Sequence, residues 1–473
     1  MVSRNGYPID ARLGLAVAGA RCVSGLSRVL GVGGGTAAPG HLASRVDPQA
    51  LEKLAGRLEQ GAVLVAGTNG KTTTARILAD ILAADGRHVV HNRAGANLVE
   101  GILATLTADA PTRGRLGPSI AVLETDEGAL PEVLTRVSPT LVVLTNLFRD
   151  QLDRFSEVDM ILAAWRRALE NLSTETTLVV NADDPSLVAL TDGLEARRVL
   201  FGIEESLYQL DEVPHAAEVI SCLRCARPFS YRSIYLGHLG DWRCEHCGTS
   251  RPPLDVAGRD VELWSYDFQS LKVTGAGTDT RFEVGLPGLY NSYNVVAAIA
   301  AGRTLGVPGA VAKTSLSHYR GAFGRAERVV YRGRSLMIML VKNPVGCNEV
   351  LRTISGVDRA FASPMLLCLN DQASDGRDVS WIWDVDYEQL ASSPTDVYCA
   401  GTRWADMCNR LYYAGVQPER IHPLGADLGL AVDSFAAALP EKGSGFILPT
   451  YSAMLAIRHD LGRRDHLAAF WSE

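Results

Sequence analysis

The chain has 473 residues, 47% of them apolar and 21% charged, with a formal net charge of −7 and a pI of about 5.9. That length accommodates two or three globular domains of ordinary composition. The acidic balance, with no block of basic residues, argues against nucleic acid as the main partner, and no apolar run reaches membrane-spanning length.

Residues 1 to about 55 read as a leader, broken by Gly33-Gly34-Gly35. Within it, Leu13 to Leu30 is mildly apolar but carries Arg21 and Arg28. Those charges interrupt the apolar stretch that a secretory signal needs. A short amphipathic helix is predicted instead, lying on a membrane or packing on the next domain.

The run Ala62-Val63-Leu64-Val65-Ala66 reads as a buried parallel strand, and Ala75 to Leu82 as a helix. Between them stands Gly67-Thr68-Asn69-Gly70-Lys71-Thr72-Thr73-Thr74. A strand, a glycine-containing turn ending in Gly-Lys-Thr and a helix make a phosphate cradle. Backbone N–H groups and the helix N-terminus bind the anion. Lys71 adds a charge on the terminal phosphates, and Thr72 can ligate Mg²⁺. The spacing departs from the common P-loop, because Val65 stands where its first glycine would be. A nucleoside triphosphate is the predicted ligand.

Further short apolar runs follow at Ile120–Leu123, Leu141–Leu144 and Leu178–Val180, each ending in polar residues. Strands of a parallel sheet end this way where ligands bind at their C-terminal ends. This α/β pattern predicts a central domain over about 56–320, interrupted by a Cys-rich insert over about 216–252. A second α/β pattern, assigned to 325–473, has predicted strands at Ser335–Leu340, Met365–Leu369, Asp396–Ala400 and Gly445–Leu448.

Four of the nine cysteines form C-x₂-C-x₁₈-C-x₂-C: Cys222, Cys225, Cys244 and Cys247. Two such knuckles close a tetrahedral S₄ site of the kind structural Zn²⁺ prefers. With four protein sulfurs no position stays open for catalysis, so the metal would hold a small ribbon that cannot build its own core. His238 and His246 are expected to be solvated surface residues. The scattered Cys22, Cys347, Cys368, Cys399 and Cys408 leave an odd count, which points to a reducing compartment, the cytoplasm.

Several motifs together resemble the Mur ligase superfamily, ATP-dependent enzymes that activate a carboxylate and attach an amine. They are the phosphate loop, Glu124-Thr-Asp126-Glu127, the run Thr145-Asn146 to Asp153-Arg154, Asn181-Ala-Asp183-Asp184-Pro185, Gly288-Leu-Tyr-Asn291-Ser-Tyr-Asn294, and Gly324-Arg325-Ala-Glu327. The resemblance implies a P-loop central domain with a zinc-ribbon insert, followed by a Rossmann-like α/β domain. The departures matter: the superfamily's metal-binding His is Gln151, its carbamylated Lys region reads Trp165-Arg166-Arg167, and its His-Asn-Pro reads Lys342-Asn343-Pro344.

The insert, Lys342 to Asn348, Asn370 to Asp384 and Pro449 to Ser452 resemble one branch, the MurT family. That resemblance implies amidation of the D-glutamate α-carboxyl of lipid II through an acyl phosphate. The ammonia would come from a GatD-like glutamine amidotransferase subunit, because no glutaminase triad is evident in this chain. A lipid-linked substrate is compatible with peripheral contact at the inner membrane face. The cofactors implied are ATP, Mg²⁺ and Zn²⁺.

The resemblance also implies residue roles. Lys71, Thr72 and Mg²⁺ would hold the phosphates. Glu124 is the leading metal ligand; Glu127 either shares that role or is an exposed helix-start residue. Asn291 and Asn294 would contact adenine, with helix capping as the other reading. Arg325 is either a γ-phosphate clamp or an interface salt-bridge residue. An Asp of the C-terminal domain would complete the partner's Cys-His pair: Asp378 first, then Asp375, with Asp371 and Asp384 behind them. These residues equally suit turns and caps. Trp381 and Trp383 alternate with polar residues as on a strand, either packing in the core or anchoring the partner. The competing functions are a ligase that adds an amino acid to a cell-wall or folate-type carboxylate, and an ATP-binding scaffold subunit.

Overall fold

The computed structural model describes residues 10–29, 37–92, 96–110, 119–149, 158–265, 268–275, 278–320, 325–357 and 361–464. Eleven strands precede residue 285: β1 (Ala62–Ala66), β2 (His88–His91), β3 (Ser119–Glu124), β4 (Leu141–Leu144), β5 (Thr177–Asn181), β6 (Arg197–Ile203), β7 (Ser230–Leu236), β8 (Leu239–Arg243), β9 (Val256–Ser265), β10 (Phe268–Gly275) and β11 (Thr278–Val284). Six follow: β12 (Arg325–Tyr331), β13 (Arg334–Met339), β14 (Met365–Cys368), β15 (Val397–Ala400), β16 (Ile421–Gly425) and β17 (Ser444–Pro449).

Nine strands form one sheet in the order β11-β10-β9-β6-β5-β4-β1-β3-β2. From β2 to β9 the neighbours run parallel, and β9, β10 and β11 add an antiparallel edge. The strand β1 is buried along its whole length because both faces of the sheet are covered. Val63 and Val65 join a core that includes Ile77 and Val296, while Ala62, Leu64 and Ala66 join one on the other face with Leu103 and Leu130. This is the two-residue alternation of a strand read from both sides. Successive strands β2 and β3 lie on one side of β1 and β4 to β6 on the other. The chain reverses direction at β1, and an open α/β sheet binds ligands in the crevice at such a point.

The second sheet has the order β12-β13-β17-β14-β15-β16. All pairs are parallel except β12 with β13. Met365 and Leu367 face one core and Leu366 and Cys368 the other. The hairpin β7–β8 stands apart as a two-stranded ribbon.

The strands predicted from apolar runs all exist within a residue or two at their ends. The antiparallel extension β9 to β11 was not among them. The amphipathic leader helix is Ala11–Val29; its Leu13, Ala16, Val17 and Ala20 are buried in the core on the Leu64 face, so it packs on the next element. The Trp381–Trp383 strand is not formed. Ser380–Asp384 is a 3₁₀ turn, started by Asp378 Oδ1 accepting from the Ser380 N–H at 2.8 Å. Local hydrogen bonding by Asp outcompetes extension there. Trp381 packs against the core, while Trp383 is half exposed.

Leu64 is wholly buried in the central strand, so Leu64→Ala is expected to cost about 2–5 kcal/mol. The exposed Val330 replaced by Ala serves as a control and should cost under about 1 kcal/mol. Denaturant titration of the two variants checks both values.

Candidate active site

The phosphate loop leaves β1 and is clamped by the segment leaving β4. Asn146 O accepts from the Thr68 N–H at 2.8 Å, and Asn146 Oδ1 accepts from the Asn69 N–H at 2.8 Å. Thr145 Oγ1 donates to Asn69 O at 2.9 Å. Gly70 caps the helix Lys71–Ala84 with φ +83°, a left-handed conformation natural to glycine. A Cβ there would also stand 1.9 Å from Asn294 Oδ1. The helix N-terminus and Lys71 open on a cavity of about 540 Å³, whose wall includes Thr68 to Thr73, Glu124, Asn294, Lys342 and Ser374. The cavity therefore lies between the two sheets' domains.

Lys71 Nζ pairs with Glu127 Oε2 at 2.9 Å, both side chains being under a tenth exposed. Burial alone would raise the Glu127 pKa, but the charges of Lys71 and Lys342 outweigh it and hold the carboxyl below its usual value. Glu127 is thus not an exposed helix-start residue: its side chain is buried. The indole of Trp165 donates to its carbonyl at 2.8 Å. Trp165 is fully buried, and its neighbour Arg166 pairs outward with Glu170.

Glu124 ends β3. Asn97 donates to its Oε1 at 3.3 Å, while its Oε2 is buried with no hydrogen-bond partner among the described residues. A buried carboxylate oxygen in that state suits a hard divalent cation.

Lys342, read from the sequence as a departure from His and as part of the MurT-type run to Asn348 but given no role, lines the cavity. Its Nζ lies 3.5 Å from Thr68 O. Next to it, Asn343 Nδ2 donates to Asn69 Oδ1 at 2.9 Å, while Asn343 Oδ1 accepts from the Gly346 N–H at 2.8 Å and caps the helix Pro344–Val357. An Asn before Pro is a helix-start signal, so the placement was detectable, though not the partner.

Asn294 reaches the cavity wall; Asn291 is not among the wall residues. Asn291 donates to Pro287 O at 2.6 Å and accepts from Asn294 Nδ2 at 3.0 Å, so it stands behind Asn294 and fixes its amide; it does not cap the helix Leu289–Thr304, whose N-cap is Gly288 with no side-chain cap bond. Arg325 begins β12, but its side chain, like Gly324 and the segment containing Gln151, lies outside the described residues.

The four Asp candidates separate. Asp375 is buried and turned inward: Oδ1 accepts from the Ser452 N–H at 2.7 Å, and Oδ2 accepts from the Ser452 hydroxyl. Asp371 pairs with Arg403 at 3.4 Å, and Asp384 with Arg149 at 2.8 Å. Asp378 is exposed, and the Ser380 N–H holds its carboxyl below the usual value. Ala373 and Ser374 of the same loop line the cavity.

The four cysteine sulfurs lie within 4.8 Å of one another, with Cys222–Cys247 at 3.6 Å and Cys225–Cys244 at 3.5 Å. A tetrahedron with metal–sulfur bonds of about 2.3 Å has edges of about 3.8 Å, so the quartet fits Zn²⁺. His246 is exposed as expected. His238 is not: it has no exposed surface. It packs on Phe148 with ring centroids 4.6 Å apart, and its Nε2 lies 3.5 Å from Asp184 Oδ1. The hairpin tip carrying it is pressed into the central domain, which spacing from the cysteines could not reveal.

Residues 340–454 match the family model described as MurT ligase C-terminal, and residues 65–222 match the Mur ligase middle domain. Over 432 residues the chain is 31% identical to the lipid II isoglutaminyl synthase (glutamine-hydrolyzing) subunit MurT of Staphylococcus aureus (strain N315), covering 91% of this chain and 93% of that one.

The chain belongs to the MurT family.

The corresponding MurT of Streptococcus pneumoniae (strain ATCC BAA-255 / R6) is 33% identical over 440 residues, covering 92% and 94% of the two chains. Among solved structures, a pseudomurein peptide ligase type C from Methanothermus fervidus superposes with TM-score 0.67 at 21% identity, covering 87% of this chain and 80% of that one. MurF ligase from Thermotoga maritima in complex with ADP gives 0.62 at 15% identity, covering 89% and 85%. These two establish the Mur ligase fold.

Two outcomes are expected. Metal analysis of the purified protein should find about one zinc per chain; Cys244→Ser should lose the metal and lower Tm. Glu127, with its pKa depressed, contributes stability that is present above about pH 4.3 and is lost as pH falls through the lower folded value. Urea midpoints between pH 6 and 3 should therefore fall less steeply in Glu127→Gln than in the wild type; equal slopes would show that the pair contributes nothing to acid sensitivity.

Proposed function

We propose that this chain is the ATP-dependent subunit of a lipid II isoglutaminyl synthase. It converts the α-carboxylate of the stem-peptide D-glutamate into the amide, using ammonia from a GatD-like glutamine amidotransferase subunit. One observation carries the reading. The phosphate loop, the Glu124 carboxylate with an oxygen unpartnered among the described residues, and the MurT-type loop at Ala373–Ser374 share a single cavity.

A carboxylate is a poor electrophile, and phosphorylation divides one hard substitution into two easier ones. The substrate carboxylate oxygen attacks the γ-phosphorus and ADP leaves. Ammonia then attacks the acyl carbon, the C–O bond breaks, and phosphate departs with a proton released from nitrogen. The protein's work is positioning and charge compensation. Lys71 and the N-terminus of its helix face the transferring group, with Lys342 on the opposite side from the C-terminal domain. Glu124 and Thr72 are the residues that would hold Mg²⁺, whose charge would offset that of the β- and γ-phosphates. Asn294 is the adenine-side residue, with Asn291 fixing its amide. Arg325, at the start of β12, is the candidate γ-phosphate clamp. Zn²⁺ would be structural, held by Cys222, Cys225, Cys244 and Cys247.

The ammonia has to come from elsewhere. Burial pushes the Cys347 thiol up to about 12 and raises that of Cys368 as well, the opposite of an activated nucleophile. Asp378, exposed on a loop whose other limb lines the cavity, is the residue suited to orient a partner's His. Asp375, satisfied within its own domain, is assigned to holding that loop. No described helix is long and apolar enough to cross a membrane, and a lipid-linked substrate would be met at the inner face from the cytoplasm.

Co-expression with a GatD-like amidotransferase, then mass spectrometry of lipid II after ATP and glutamine, tests the reading. A loss of about 1 Da with release of ADP and phosphate is expected for acid-to-amide conversion through an acyl phosphate. A gain of an amino-acid residue would establish the ordinary ligase instead, and no change despite ATP binding would establish a scaffold. Lys71→Ala should lower the rate by at least about 10²-fold with partner binding intact. Asp378→Asn should lower glutamine-driven amidation while sparing the reaction driven by free ammonia. Undiminished glutaminase activity would remove Asp378 from the triad.

A further inference from the structure

The four-cysteine insert is built into the cavity rather than hung beside it. Its hairpin β7–β8 carries Cys244 just beyond one end. At the other end, Leu236 and Leu239 are buried and stand in the cavity wall. Just behind that tip the hairpin grips the central domain. The Gly240 N–H donates to Asp183 O at 3.1 Å, and the buried Trp242 indole donates to Ala182 O at 3.1 Å.

Arg251 follows the last knuckle by four residues in the chain and turns back beneath the hairpin. Its N–H donates to Trp242 O at 2.9 Å. Its guanidinium donates to Asp183 Oδ1 at 2.8 Å and to Ile203 O at 3.2 Å. Asp183 has no exposed surface. Its Oδ2 accepts from the Ile203 N–H at 2.9 Å and from the Tyr293 hydroxyl at 2.7 Å. A Cβ at Gly202 would stand 2.4 Å from Asp183 Oδ1, so the carboxylate is packed with no room to turn. Tyr293 lies in the cavity wall, next in the chain to Asn294. Tyr293, Leu236 and Leu239 belong to one packed cluster. A buried carboxylate that loses its cation is strongly destabilised, so the position of Tyr293 depends on Arg251, and Arg251 depends on the knuckle before it.

We propose that the insert is a nucleotide-binding element. Leu236, Leu239 and Tyr293 form an apolar slot for the nucleobase, and Arg251, acting through Asp183, is the positioning residue that keeps Tyr293 in it. This rests on the triphosphate reading above and extends it. Lys71 and Thr72 supply charge and a hydroxyl, which suit phosphates. The wall at Leu236, Leu239 and Tyr293 supplies flat apolar surface, which suits a heteroaromatic ring. Asn294 joins the two ends, because its amide packs on Gly70 of the phosphate loop.

Calorimetric titration of the full chain, co-purified with its partner, decides the matter with two probes. One is AMP-PNP with Mg²⁺; the other is inorganic tripolyphosphate with Mg²⁺, which has no base. Arg251→Gln should weaken AMP-PNP binding about tenfold, the size expected for a lost charged hydrogen bond. Leu239→Ala and Tyr293→Phe should weaken it several-fold. Tripolyphosphate affinity and zinc content should stay unchanged in all three, and Arg251→Lys should recover part of the loss. Should Arg251→Gln fail to fold, the Leu239 and Tyr293 variants decide alone. Unchanged AMP-PNP affinity in those variants overturns the proposal, as does a parallel fall with both probes, which marks general distortion. A wild-type protein that binds AMP-PNP no more tightly than tripolyphosphate overturns the slot while leaving the phosphate site standing. A wild type that binds neither probe overturns the triphosphate reading and this inference with it.

Discussion

A lysine ammonium almost closed off from water needs a counter-charge, and the surroundings of the phosphate loop follow from that need. Lys71 leans on Glu127, and Glu127 feels Lys342 as well. Two cations from two domains thus meet at one buried carboxylate. Glu124 and Asp126 line the same cavity, so opposite charges face one another where the two domains meet, and the Trp165 indole holds the Glu127 backbone in place.

What was legible in the sequence was what local spacing encodes. The phosphate loop depends on a strand, a turn and a helix within about twenty residues, and the knuckles on two pairs of thiols; neither requires knowledge of distant partners. Strands β1, β3, β4, β5, β13, β14, β15 and β17 were legible because burial on two faces leaves continuous apolar runs; β2, β6, β12 and β16 were not, and β2 and β16 are partly exposed. The extension β9 to β11 was not, because one-sided strands such as Val256–Ser265 alternate buried and exposed residues too irregularly. The Trp381–Trp383 run imitates strand alternation, yet Asp378 and Ser380 close a local turn that no periodicity reports. His238 shows the same limit: a histidine near a metal knuckle looks like surface until the hairpin is seen docking on Phe148. Among the Asp residues of the C-terminal loop, only contacts made across the fold distinguish the inward Asp375, tied to Ser452, from the outward Asp378.

That loop has two faces with different duties. Its Asn370 and Asp375 are fastened to Ser452, two anchors in the same domain. Between the anchors Ala373 and Ser374 reach the cavity, and beyond them Asp378 reaches solvent. A segment held this firmly transmits position rather than absorbing it. Arg149 reinforces the arrangement by pairing with both Glu218 of the insert region and Asp384 of the loop's far end.

The amide of Asn343 uses its two ends for two different purposes. The oxygen starts its own helix by accepting from Gly346, and the nitrogen reaches across to Asn69. Rotating the amide by half a turn would break both contacts, so helix formation sets the hand of the donor before the two domains meet. The two purposes are also independent chemically. An acid in that place would keep the helix start and surrender the reach. The contact between the two domains can therefore be lost at this position without loss of the helix start beside it.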